Sequence, residues 1–375
     1  MPQGELSMVM IGDAYIQRPD PDSAFEPVRP FLANADIGFC NLETVVADRA
    51  YLDPDDHDTR PRSDESMLAA YLRAGFNVMN IANNPGMYHG LRAFLRSLDV
   101  LDAAGVVYAG GGRNLAEARR SAIIEKKGTR VGFVCRTAVG LVSAAATPER
   151  GGVARFRVST AYEAPARIAD VPGSPPLIHT IPDAQDKAAL EEDIRVAKQQ
   201  ADLVVVSWHW GVSPHSRGIG DLASYQVEMG RASIDAGADL VVGHHSHVPQ
   251  PIEVYKGKPI IYSLANYVHD MFEGERKLST ILVRCLIRDG NIARLSFVPG
   301  LVDGAGPPTY FKPREAARVV NHVLEISSPF GTRFEVGEDE VSVTLEAPDS
   351  LNAVNPLAEN AVSRSAFHWR RAAGL

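Results

Sequence analysis

The sequence predicts an α/β sandwich built on mixed β-sheets. Three observations carry that expectation. Apolar runs of strand length alternate with segments of helical spacing through the first part of the chain. Two hairpin patterns follow one another late in it, and each polar cluster of interest stands directly after a predicted strand. In open α/β sheets ligands gather at the carboxyl ends of strands, so the third observation ties fold to function.

Taken in order, SMVMIGD (7–13) is a short apolar strand ending in Gly-Asp. DSAFEPVRPFLANA (22–35) has helical spacing that Pro30 kinks or breaks, and DIGFCNLE (36–43) is a second strand ending in an acid. The polar stretch that follows, with DPDDHD at 53–58 and arginines at 60 and 62, reads as a solvated loop. SDESMLAAYLRAG (63–75) opens on capping residues and closes on glycine, as a helix does. FNVMNIAN (76–83) is a strand, and GLRAFLRSLDVLDAAG (90–105) places apolar residues at helical spacing. VVYAGGG and RVGFVC are further strands.

Residues 138–185 have no period and many Gly, Pro and Ala, and read as an insertion or lid. A charged surface helix (186–201) feeds the strand DLVVVSWHWG (202–211). Helix 222–237 then leads into the strand ADLVVGHHSH. Hairpins turn at Lys256-Gly257 and at Asp289-Gly290, before a helix at 314–326 and a β-like stretch near 333–346.

At 375 residues and 45% hydrophobic content the chain can bury a sizeable core. A net charge of -8 gives no overall attraction for nucleic acid or anionic lipid. No window approaches the roughly 18 apolar residues of a membrane span. The opening MPQGELSMVMIGD lacks a basic region and a long apolar stretch, so a cytoplasmic protein is expected. Cys40, Cys135 and Cys285 are far apart in apolar runs, which suits buried reduced thiols.

The strand-end residues are Asp13, Glu43, Asn83 and Asn84, His209, and His244, His245 and His247. Two carboxylates, an amide oxygen and several imidazoles form an O/N ligand set for a divalent ion (Ca, Mn, Mg, Fe, Co or Zn). Singly, each also fits a turn, a cap or a hydrogen-bonded core position; His209 between two tryptophans is such a case. GHHSH is less easily placed. In an extended segment His245 and His247 point to one side, where two imidazoles need a cation or carboxylates to organise them.

The strings NLET, AGFNVMNIANN, VVSWHWG and IDAGADLVVGHHSHVPQPIEVYKGKPIIYSLANYV resemble the CapA-like (poly-γ-glutamate capsule protein) branch of the calcineurin-like metallophosphatase superfamily. The resemblance runs from about residue 5 to 335, leaving 336–375 as a C-terminal extension. It implies a calcineurin-like four-layer α/β sandwich with mixed sheets and a metal site at one sheet edge. It also implies Asp13, Glu43, Asn83, His209, His245 and His247 as metal ligands, with His244 behind them.

The chain departs from that family where relatives read ANNH and then an Asp and a Gly. Here the text is ANNPGMYHG, with Pro85 in the histidine's place and Tyr88 in the aspartate's, and His89 as a substitute four residues on. Proline can neither polarise a phosphate nor protonate a leaving group. SLANYVHD also adds His269 and Asp270.

Proton transfer remains within reach of this inventory. The altered motif and expected cytoplasmic location resemble a branch of peptide-modifying relatives, the lasso-peptide epimerases. That resemblance implies inversion of a C-terminal Cα in a precursor peptide. The acidic charge and the lack of a long apolar window add the expectation of no nucleic-acid or membrane partner. His209 and His245 would carry protons beside Asp13 and Asp270, and Arg60, Arg62 and His89 would bind substrate. The alternatives are a CapA-like metallohydrolase acting on a phosphoester or γ-glutamyl bond, and a binding protein on a decayed enzyme scaffold.

Overall fold

The computed structural model describes residues 4–164, 171, 173–212, 222–271, 277–304 and 306–346. Two sheets face each other. The larger has ten strands, and four of them, Leu6–Tyr15, Ile37–Leu42, Val78–Asn80 and Val107–Ala109, run parallel side by side. The late hairpin Lys277–Arg288 and Asn291–Asp303 joins antiparallel to Leu6–Tyr15. The smaller sheet has six strands, with Thr129–Thr137, Leu203–His209, Leu240–His244 and Lys258–Ile261 parallel.

Strand periodicity sorts the side chains into layers. Met8, Met10, Ile37 and Phe39 of one sheet meet Val131, Phe133, Leu203, Val205, Leu240 and Val242 of the other in a central core. The rings of Phe39 and Phe133 stack across this gap with centroids 5.5 Å apart. The alternate residues face outward. Val9, Ile11, Cys40 and Met79 pack under Leu32, Tyr71, Phe94 and Leu98, while Val204, Val206 and Val241 pack under Leu190, Ile194 and Met229. The result is a four-layer sandwich of helices, sheet, sheet and helices. Strands buried on both faces have apolar residues on both, which is why LVVVSWH reads as a continuous run rather than an alternation.

Two glycines let the backbones close at the functional edge. A Cβ on Gly12 would lie 1.7 Å from the Ala265 carbonyl oxygen, and one on Gly243 would lie 1.9 Å from that of Tyr262. The register of Leu6–Tyr15 also slips beside both parallel neighbours at Asp13, as a bulge does when it re-aims a side chain.

Several expectations change. The boundary at 335 falls inside the hairpin Phe334–Val336 and Val341–Val343, which extends the larger sheet through Asn291–Asp303, so the folded body continues past it. The described part of 138–185 is not one lid. Val153 pairs with Gly111, and Ala154 and Phe156 are buried, so its first part is woven into the body. Only Val158–Glu163 and Leu177–Pro182 form a separate ribbon. The 53–58 loop is anchored, since Asp56 and Asp58 take hydrogen bonds from His89 and Arg62. Residues 347–375 of the expected extension lie outside the described residues. Among the described residues no helix is long and apolar enough to cross a membrane.

Replacing either close-contact glycine by alanine is expected to cost at least about 3 kcal/mol in urea unfolding, because backbone rather than a flexible side chain is in the way. Gly105→Ala is the control, since its added Cβ meets nothing within 4 Å and only the positive φ of 68° opposes it. Equal losses at Gly12 and Gly105 would mean that close approach is not what these positions require.

Candidate metal centre

All the parallel strands that matter end at one edge, and their last residues converge. Asp13 is wholly buried. Its carboxylate accepts hydrogen bonds from Asn41 Nδ2 at 2.7 Å and from the His245 backbone N–H at 3.1 Å. His244 Nδ1 and His247 Nδ1 each stand 3.5 Å from it. Glu43, one residue past its strand, is 2% exposed and brings Oε1 to 3.4 Å from His209 Nε2.

Two ligand groups result, Asp13 with Glu43 and His247, and Glu43 with His209 and His245. In each, one ligand atom per residue lies within 4.8 Å of the others, and Glu43 belongs to both. That is the span donors have around a cation at bonds of about 2.0–2.5 Å. Glu43 Oε2 and His245 Nδ1 are buried with no hydrogen-bond partner, a state that costs free energy unless something else uses their lone pairs. The donor set therefore fits a divalent cation, which either group would hold, with Glu43 common to both.

The histidine loop reaches the site by a different path from period-two alternation. The strand ends at His244, and His245 and His247 then take positive φ values of 90° and 56°. Non-glycine residues occupy that region at a cost of roughly 1–3 kcal/mol each, and such strain clusters at functional sites. The turn brings the rings of His245 and His247 to 5.9 Å and those of His209 and His245 to 4.8 Å. His247 Nδ1 also meets Asn266 Oδ1 at 2.7 Å.

Some expected site residues lie elsewhere in the network. The Asn83 amide is turned to the backbone: Nδ2 donates to the Leu42 carbonyl at 2.7 Å and Oδ1 accepts from the Gly86 N–H at 3.1 Å. The amide oxygen at the centre belongs to Asn84, with Oδ1 2.6 Å from His209 Nε2. Asn84 stands directly before Pro85 in the altered motif, which was the available sequence signal for it.

Asp270 is not a free acid–base partner. Its carboxylate accepts from Arg18 Nε and Nη2 and from the Gln17 backbone N–H. Arg62 is 7% exposed and gives four of its five N–H groups to Asp58, Asp64 and the Ala47 carbonyl, which leaves little for a substrate carboxylate. His89 is buried and holds Asp56 at 2.8 Å with Nδ1 and the Arg60 carbonyl at 3.2 Å with Nε2, so it does not replace the histidine absent at 85. Arg60 is exposed, its guanidinium 5.0 Å from the Tyr88 ring centre. His244 is buried behind Asp13, with neither ring nitrogen hydrogen-bonded.

Burial and mutual charge set the protonation of this cluster. Burial, reinforced by Asp13, pushes the Glu43 carboxyl well above the usual range. Burial also works to raise Asp13, but its hydrogen bond with His247 and the charges of His244, His209 and His247 outweigh it and hold the group low. His209 is driven well below the ordinary imidazole value by burial and by His245. His244 and His245 fall to about 4, burial being the main cause in both. His247 goes the other way, to about 9, because Glu43, Asp13 and Asn266 overcome its burial. One cationic imidazole, His247, thus faces the ionised Asp13, beside three neutral ones.

Residues 4–271 match the family described as bacterial capsule synthesis protein. The capsule biosynthesis protein CapA of Bacillus anthracis is 28% identical over 351 residues, spanning 91% of this chain and 78% of its own. The PGA biosynthesis protein CapA of Bacillus subtilis is 26% identical, over 93% of this chain and 83% of its own. A probable polyglutamine synthesis accessory protein of Mycobacterium tuberculosis is 31% identical, over 70% of this chain and 65% of its own.

The raised groups Glu43 and His247 each contribute stability that is complete below the ordinary value and lost as pH rises through the folded one. Metal-free protein is therefore expected to melt at falling temperature between pH 6.5 and about 9, as His247 gives up its proton. Saturating Mn2+ supplies the missing counter-charge and flattens that fall. Glu43→Gln should melt higher than the parent at pH 9 in EDTA and gain less from Mn2+, as read by scanning calorimetry. A variant that melts lower in EDTA would place the strain elsewhere than in the carboxylate pair.

Proposed function

The chain belongs to the bacterial capsule synthesis protein family, the CapA-like branch of the calcineurin-like metallophosphatases, and from that membership and the geometry of its site we propose that it is a metal-dependent hydrolase of a γ-glutamyl amide or a phosphoester. The observation that carries this reading is the pair of ligand groups sharing Glu43. A divalent cation bound there supplies Lewis acidity toward a carbonyl or phosphoryl oxygen and stabilises charge that develops on it.

The protein's own groups do the rest. Asp13, gripped by Asn41 and the His245 N–H, orients the histidine loop and supplies negative charge. Trp208 and Trp210, stacked at 4.9 Å, fix the strand on which His209 stands between them. His245 is the partly exposed imidazole of the cluster, and its depressed basicity leaves it neutral at pH 7 with a lone pair to offer a cation.

A second reading, Cα epimerisation of a cytoplasmic precursor peptide, is favoured by one observation. Position 85 offers no side-chain donor for a leaving group and His89 is engaged with Asp56 and Arg60, while two neutral imidazoles, His209 and His245, adjoin at 4.8 Å. That pairing suits moving a proton on and off carbon better than cleaving a bond. On this reading Arg60 at the Tyr88 ring receives the peptide carboxylate.

One experiment separates the two. The purified protein is incubated in D2O with a γ-glutamyl p-nitroanilide, a p-nitrophenyl phosphodiester and short peptides with free C-termini, in Mn2+ and in EDTA. Metal-dependent cleavage without deuterium in intact substrate is expected, and His245→Ala, by removing a ligand, should lower its rate about 100-fold or more with the metal-free melting temperature little changed. Gain of one deuterium in an uncleaved peptide would overturn hydrolysis in favour of epimerisation.

A further inference from the structure

Pro85 starts a single turn, Pro85–Met87, that carries the chain from Asn84 to Tyr88. The turn folds residue 88 back on residue 84, and Asn84 Nδ2 donates to the Tyr88 hydroxyl oxygen at 2.8 Å. The other end of the same amide, Oδ1, faces His209 Nε2 at 2.6 Å. His209 in turn lies within the group formed with Glu43 and His245.

An amide has one acceptor end and one donor end. If a cation is to sit among these residues, the end facing it must be the carbonyl, because an N–H there would oppose the charge. The outward end is then a donor and needs an acceptor, which the phenol oxygen provides. Losing that acceptor would leave the amide free to rotate about its last torsion, a soft one. The phenol is itself held, since the Arg60 guanidinium sits 5.0 Å from its ring centre.

We propose that Tyr88 is a positioning residue. Its hydroxyl keeps the Asn84 carbonyl oxygen turned toward Glu43, His209 and His245, so that Asn84 serves as the oxygen donor of that second cation position. The inference rests on the reading of the site as a two-position metal centre and adds to it the residue that aims the amide donor. Pro85 takes part by shaping the turn, since its fixed φ suits the first position of a short helical turn.

The test is calorimetric titration of Mn2+ into metal-stripped full-length protein, for the parent, Tyr88→Phe, Asn84→Ala and the double variant. The parent should bind two equivalents. Tyr88→Phe should weaken one of them about 10-fold or more and leave the other unchanged, in line with losses seen when groups behind metal ligands are removed. Its metal-free melting temperature should match the parent's, which a merely structural hydroxyl would not allow.

In the Asn84→Ala background the Tyr88→Phe change should add nothing. Two unchanged equivalents in Tyr88→Phe would overturn the inference and leave the two-position site standing. A further loss in the double variant would overturn it too, since the hydroxyl would then act by another route. Fewer than two equivalents in the parent would overturn the two-position reading and the inference together.

Discussion

Two carboxylates, Asp13 and Glu43, are shut away from water in the same corner of the sandwich. Burying one ionised carboxylate without compensation is costly, and burying two together adds their repulsion. Much of the edge is arranged around that constraint. Asn41 and the His245 N–H meet Asp13, His247 supplies positive charge, and Glu43 keeps one oxygen with no hydrogen-bond partner. A cation that neutralised the pair would remove that unfavourable contribution. Metal binding and stability are in that sense one property of this edge.

The surrounding fold holds the charges in place by apolar packing. Strands buried on both faces cannot slip by one residue without moving a whole apolar set from one layer to another. Leu203, Val205, Val204 and Val206 therefore fix where His209 emerges, as Leu240 to Val242 do for His244. The close approaches at Gly12 and Gly243 tie the two sheets' functional edges to the segment 262–265. The positive φ values of His245 and His247 are sustained because both ends of that short loop are fixed, by the strand before it and by Asn266 and Asp13 beside it.

How far the sequence reached depended on whether a feature followed from local period or from a turn. The apolar runs reported the strands and their layers directly, and strand ends pointed to Asp13, Glu43 and His209 because a residue at a strand end keeps its place. Past the last ladder pair that logic fails. The strand Val78–Asn80 stops early, so choosing between Asn83 and Asn84 rests on a turn that alternation does not describe. The same holds for HHSH, where an extended path was expected and left-handed residues do the work. Asp270 and Arg62 looked available because their partners are not visible in local text. One carboxylate is bound by residues more than 250 positions away, and the other group is closed in by an acidic loop that composition alone makes appear solvated.

The motif that departs from the family can now be weighed by what each residue touches. Replacing a histidine by Pro85 removes a donor from the loop, and His89 is already committed to anchoring residues 56 and 60. The same proline nevertheless tightens the turn that lets residue 88 grip residue 84. The loop has thus exchanged a group able to reach the reacting atoms for one that fixes a ligand oxygen from behind. An exchange of that kind leaves the cation site intact while changing which protons can move near it. What stays at this edge is the donor set itself, with His209 and His245 as the neutral imidazoles in contact with each other and grouped with Glu43.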